Sequence, residues 1–100
     1  MIAVNKDKLS NETILRIRRM EFYFDTLRSA AETVPHLLRE DGPVRDMLRE
    51  LVTYYEGGQW LRDYEADEQG LLPKGLKRGV LSQDGVFELL SEIQNHGSDI

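Results

Sequence analysis

Four carboxylates crowd one short stretch of the chain: Asp63, Glu65, Asp67 and Glu68. Oxygen-rich groups of this kind hold Mg²⁺ or Ca²⁺, so cation binding is the first chemistry to weigh. A calcium loop of the EF-hand type fails on position. Counted from Asp63, the sixth place holds Glu68 where glycine is needed, and the twelfth holds Lys74 where a glutamate should close the loop. On a helix Asp63 and Asp67 share a face while Glu65 and Glu68 point elsewhere, so at most two converge. A solvated, charge-laced helix face is the plainer reading, and no metal ligand is assigned.

His36 and Glu40 stand four apart and could supply half a metal site, but no H-E-x-x-H pattern accompanies them. The other histidine, His96, fits as a cation at a helix end. No serine lies in a G-x-S-x-G elbow, and Gly57-Gly58 lacks the rest of a phosphate loop. Lys74, Lys77 and Arg78 could meet a phosphate, yet pairing with the neighbouring acidic stretch is the simpler expectation. No catalytic residue and no cofactor is assigned.

Tyr54, Tyr55, Trp60 and Tyr64 surround a glycine pair and are the most informative group. Aromatic anchors can line a ligand groove or a partner surface. They can equally close the core of a small bundle around a tight corner, and a chain this short relies on large buried side chains. The core reading is preferred, with Trp60 expected against Tyr55 or Tyr64 and a residue of the last helix. Phe22 and Tyr23 add apolar surface off the main stripe of the first helix. With the four corner aromatics they make up the candidate interaction surface.

These side chains must be positioned by helices. Ile14, Ile17, Met20, Phe24, Leu27, Ala31 and Val34 recur at steps of three and four, which predicts a long helix over 11–34. Ser10 is its expected cap, and Pro35 its stop, because the residue before proline is steered out of the helical region. Pro43 suits a first helical position, and a second stripe runs from Val44 to Tyr55, predicting a helix over 43–56 that Gly57-Gly58 ends. A short helix over 59–69 closes at Gly70, Leu71, Leu72 and Pro73. A further helical turn is expected within 36–40, and a turn or one helical turn over 74–80, broken by Gly75 and Gly79. Ser82 caps a last helix over 83–96, with Leu81 and Val86 at staple spacing and Gly97 just beyond its end. The expected fold is all-α: a small helical bundle with three main helices and one short one. It forms a single domain over 1–100, with flexible ends at 1–8 and 97–100.

Composition narrows the function. Thirteen basic residues against eighteen acidic ones give a net charge of −5, which opposes nucleic-acid and anionic-membrane binding. Only a continuous basic face through Arg16, Arg19 and Arg28 would revive nucleic acid. With no cysteine there is no disulfide framework and no thiolate chemistry. No window approaches the ~20 apolar residues of a membrane span, and no signal-peptide stretch opens the chain. A cytoplasmic protein is expected.

Three segments carry a resemblance: Tyr54-Tyr55-Glu56-Gly57-Gly58-Gln59-Trp60, then Asp63 through Pro73, then Leu76-Lys77-Arg78-Gly79-Val80-Leu81-Ser82-Gln83-Asp84. Together they resemble an uncharacterised family of short bacterial proteins, the domain of unknown function DUF4298. Arg19-Met20-Glu21 on the long helix extends the likeness. Gly85, where a less flexible residue would be usual, and Phe87, where the family often has tyrosine, depart from it. The resemblance implies a helical bacterial cytoplasmic protein and supplies no activity. The expected function is therefore a protein–protein interaction or self-associating module without catalysis, its partner a protein or a second copy. The alternative is a small-molecule- or metal-binding protein or enzyme with an aromatic pocket of Trp60 and Tyr64 beside Asp63 and Asp67.

Overall fold

A computed structural model describes residues 11–98, with side chains described to residue 95. The expected cap at Ser10 and the ends at 1–8 and 99–100 lie outside the described residues. Four helices follow one another: α1 (Asn11–Thr33), α2 (Pro43–Glu56), α3 (Gln59–Glu68) and α4 (Gly85–Ser98). Single 3-10 turns at Pro35–Leu38 and Gly79–Leu81 link α1 to α2 and lead into α4. The chain is all-α, with no strand among the described residues.

The stripe read from α1 is the face that the rest of the molecule covers. Ile17, Met20, Phe24 and Leu27 are buried at steps of three and four, and Leu51, Tyr54, Val80, Leu81 and Val86 meet them in one core. α2 lies along α1, α3 turns back beside α2, and the 79–81 turn bridges α1, α3 and α4. No helix among the described residues is long and apolar enough to cross a membrane.

The boundaries follow local chemistry. α1 stops one residue short of the predicted Val34, whose backbone (φ −141°, ψ 58°) has left the helical region ahead of Pro35. The predicted turn within 36–40 is the 3-10 turn at 35–38. At the glycine pair it is Gly58, at φ +98°, that takes the left-handed conformation, while Gly57 continues the backbone at −87°. At the end of α3, Gly70 sits at φ +74°. Its N–H donates to the Asp67 carbonyl at 3.0 Å, and the Leu71 N–H donates to the Ala66 carbonyl at 3.0 Å. That double closure is a Schellman cap, and it turns the chain so that Leu72 folds into the core.

α4 begins at Gly85 rather than residue 83 and runs on through Ser98, past the predicted end at 96 and through Gly97. Ser82 still receives the amide of Gly85 on its hydroxyl at 3.1 Å, with residues 83 and 84 forming a turn before the helix. Gly85 is there for space. A Cβ would lie 3.2 Å from the Phe24 ring and 2.3 Å from the Ser82 hydroxyl.

Candidate functional site

α2, the glycine turn and α3 bring Tyr54 and Asp63 together, and α1 supplies the charge that meets them. Arg16 donates from Nε to Asp63 Oδ2 at 3.1 Å and from Nη2 to Oδ1 at 2.7 Å. The Tyr54 hydroxyl donates to the same Oδ2 at 2.7 Å. Asp63 is 2% exposed, so both carboxylate oxygens are occupied inside the protein. This is a two-pronged guanidinium–carboxylate pair, the strong form of the interaction. Burial, then the hydrogen bond to Asp63, pushes the Tyr54 phenol far above its ordinary range. Arg16's own hydrogen bonds to Asp63 raise its guanidinium above the ordinary value. Asp63 thus accepts from α1 and α2 at once and clamps the three helices together.

The expected aromatic arrangement is present in part. Trp60 lies edge-on to Tyr55, with ring centres 5.2 Å apart, and stacks on Tyr64 at 5.0 Å and 14°. All three are half-buried. Trp60 also reaches the turn before the last helix: the indole N–H donates to the Val80 carbonyl at 2.9 Å. Of the six residues named for an interaction surface, Tyr54 is inside the core. Tyr23 is half-buried, its hydroxyl leaning toward Glu50 at 3.4 Å, and Phe22 stands in solvent.

Among the described residues the acidic and basic segments form one ion pair with each other. Arg78 pairs with Asp67 at 2.6 Å and also donates to the Pro73 and Leu76 carbonyls. Asp63 instead meets Arg16, and Lys77 lies 3.7 Å from Asp25 on α1. Asp63 and Asp67 thus face two different cations and do not converge. His36 and Glu40 are exposed, and the His96 side chain lies outside the described residues. Among the described residues no three His, Asp or Glu side chains are grouped as a metal ion would require. The basic face is broken as well, since Arg16 turns inward and Arg28 lies over the Phe24 ring at 5.2 Å.

Two residues escape a reading of the sequence. Glu21 is buried on α1 and accepts the Val80 N–H at 2.8 Å. Val80 is therefore held by its amide from α1 and by its carbonyl from α3. Gly79 permits the approach, for a Cβ there would sit 3.1 Å from Glu21 Oε2. The signal was positional: Glu21 stands four after Ile17 and three before Phe24, on the core face. Leu15, seven before Phe22, is the second. Both side chains are 59% exposed on the outer side of α1. Two clefts open beside Phe22: one of about 340 Å³ toward Gly75, Leu76 and Lys77, and one of about 490 Å³ toward Val34, Leu37 and Val44.

A family model described as a domain of unknown function, DUF4298, matches residues 17–98. No curated protein and no solved structure gave a match.

Proposed function

The chain belongs to the DUF4298 family, and we propose that it is a small cytoplasmic interaction module that docks protein through the outer face of α1 and carries no catalysis of its own. The observation behind this reading is Phe22. Phe22 stands in solvent between two clefts with Leu15 exposed two turns away on the same side of α1, and a contiguous apolar strip of that kind favours a partner site. The residues with the chemistry of a catalytic or metal site have internal duties instead, Asp63 to Arg16 and Tyr54 and Asp67 to Arg78. A protein partner fits better than nucleic acid, since the net charge is −5 and the basic face of α1 is interrupted.

A photo-reactive phenylalanine analogue placed at position 22 tests this in living cells, with position 87 on α4 as an equally exposed control. The expected result is adducts from position 22 that fade when Thr26→Arg and Ser29→Arg fill the larger cleft. Adducts no more abundant from 22 than from 87 would overturn the reading.

A further inference from the structure

Resting on that reading of α1, we propose that the partner is a second copy of this chain, its α1 antiparallel to the first across a two-fold axis at Phe22. The two clefts supply the geometry. On α1 the first is bounded by Arg18, Glu21, Phe22 and Asp25, and the second by Phe22, Asp25, Thr26, Ser29, Ala30 and Thr33. Residues 18, 21, 22 and 25 in the first, and 26, 29, 30 and 33 within the second, have the spacing i, i+3, i+4, i+7 of the four-residue hole that receives one side chain from a facing helix.

The same helix carries two exposed apolar knobs, Leu15 and Phe22, two turns apart on one side. The holes are eight residues apart (Arg18 to Thr26) and the knobs seven (Leu15 to Phe22). At ~1.5 Å per residue these are spacings of about 12 and 10.5 Å, so one register serves both contacts. With the copies centred on Phe22, each Phe22 ring enters the first hole of the other chain and the two rings meet. Leu15 then falls beside Ser29 and Ala30 of the second copy. Small side chains leave room there, and Val34, Leu37 and Val44 give apolar depth.

Charge selects the direction. The antiparallel register sets Arg18 of one chain beside Asp25 of the other, and the symmetry repeats that pair. A parallel register would set Arg18 against Arg18 and Asp25 against Asp25. Lys77 does not hold Asp25 closed, because the two side chains are 3.7 Å apart and 78% and 48% exposed. The surface is self-complementary, so the association closes at two copies and does not propagate.

Sedimentation equilibrium on the purified chain tests the proposal. The wild type should dimerise, and Arg18→Asp and Asp25→Arg should each weaken the dimer about tenfold or more by placing like charges together. The doubly swapped chain should recover the wild-type constant to within about threefold, with unchanged helix content throughout. The chain has no cysteine, so oxidation gives a second arm. Phe22→Cys should join copy to copy, while Phe87→Cys, equally exposed on α4, should not. A wild type that stays monomeric, a double swap without recovery, or equal linking at 22 and 87 would each overturn the proposal. A monomer whose position 22 cross-links to other cellular proteins would overturn self-pairing and leave the broader reading standing.

Discussion

At the corner built by Tyr54, Trp60, Asp63, Asp67 and Arg78, the polar side chains close on partners within the chain. Along the outer face of α1, Leu15 and Phe22 stand in solvent among Arg18, Asp25 and Ser29. The corner has the composition of an active site and holds α1, α2 and α3 together. The helix has the composition of an ordinary amphipathic segment and leaves two large apolar side chains exposed. A polar cluster is therefore judged by whether its lone pairs and protons are already committed. An apolar residue must be judged by whether anything covers it.

The sharpest way to break this comparison is to remove Asp63. Asp63→Ala leaves Arg16 without its counter-charge and Tyr54 without an acceptor, and should cost about 3 kcal/mol in chemical denaturation. The partial exposure of Arg16 keeps the loss at the low end for such pairs. A loss below about 1 kcal/mol would return Asp63 to the list of functional groups.

Trp60→Ala comes next, at about 2–3 kcal/mol. The ring is half-buried rather than enclosed, but its loss also strands the Val80 carbonyl. Outright unfolding would mean that the indole carries more of the corner than its packing indicates. A melting temperature within a few degrees of wild type would place Trp60 with Phe22 as a surface anchor.

Tyr54→Phe should cost about 1.5–2 kcal/mol at neutral pH, the worth of a hydrogen bond to a charged acceptor. It also carries a pH signature. The folded protein holds the phenol protonated above its ordinary pKa of 10.0, while the unfolded chain releases the proton near that value. The stability from this protonation is whole below pH 10.0 and declines as pH climbs above it. Tyr54→Phe should flatten that alkaline decline. Tyr23, whose phenol is also raised, is present in both proteins and cancels in the difference.

Phe22→Ser gives the smallest effect and sharpens the contrast most. At protein concentrations low enough to keep the chain monomeric, stability should change by no more than about 0.5 kcal/mol, as for an exposed residue. A loss above about 2 kcal/mol would show that Phe22 belongs to the core after all.

Much of the scaffold was legible from local rules. The α1 stripe, the proline at the first position of α2 and the glycine closure of α3 depend on residues close in sequence, and all are where those rules put them. The start of α4 at Gly85 was not, nor was the close approach of Gly85 to the ring of Phe24 on another helix. The candidate site was legible in membership and not in direction. Periodicity placed Asp63 and Asp67 on one face of α3, but the partner of Asp63 lies 47 positions earlier. Which of several arginines reaches a carboxylate is settled by how α1 crosses the corner, and no local rule contains that crossing. Phe22 could be named from its place off the stripe. That Leu15 joins it shows only in its exposure in the fold.

The grip of Glu21 on Val80 also bears on how the chain assembles. The carboxylate sits on the face that α1 must bury, yet its donor is 59 residues further along. During synthesis α1 emerges with that face incomplete, and it stays so until the 79–81 turn has left the ribosome. Burying Glu21 sooner would strand a charged group without its hydrogen bond, at a cost of about 1–3 kcal/mol or more. Docking of α2 on α1 alone leaves Glu21 without the donor it has in the folded protein. Contacts of such sequence separation slow folding among helical proteins of this size, where most contacts are local. One carboxylate on the first helix thus ties α1 to the turn that leads into α4.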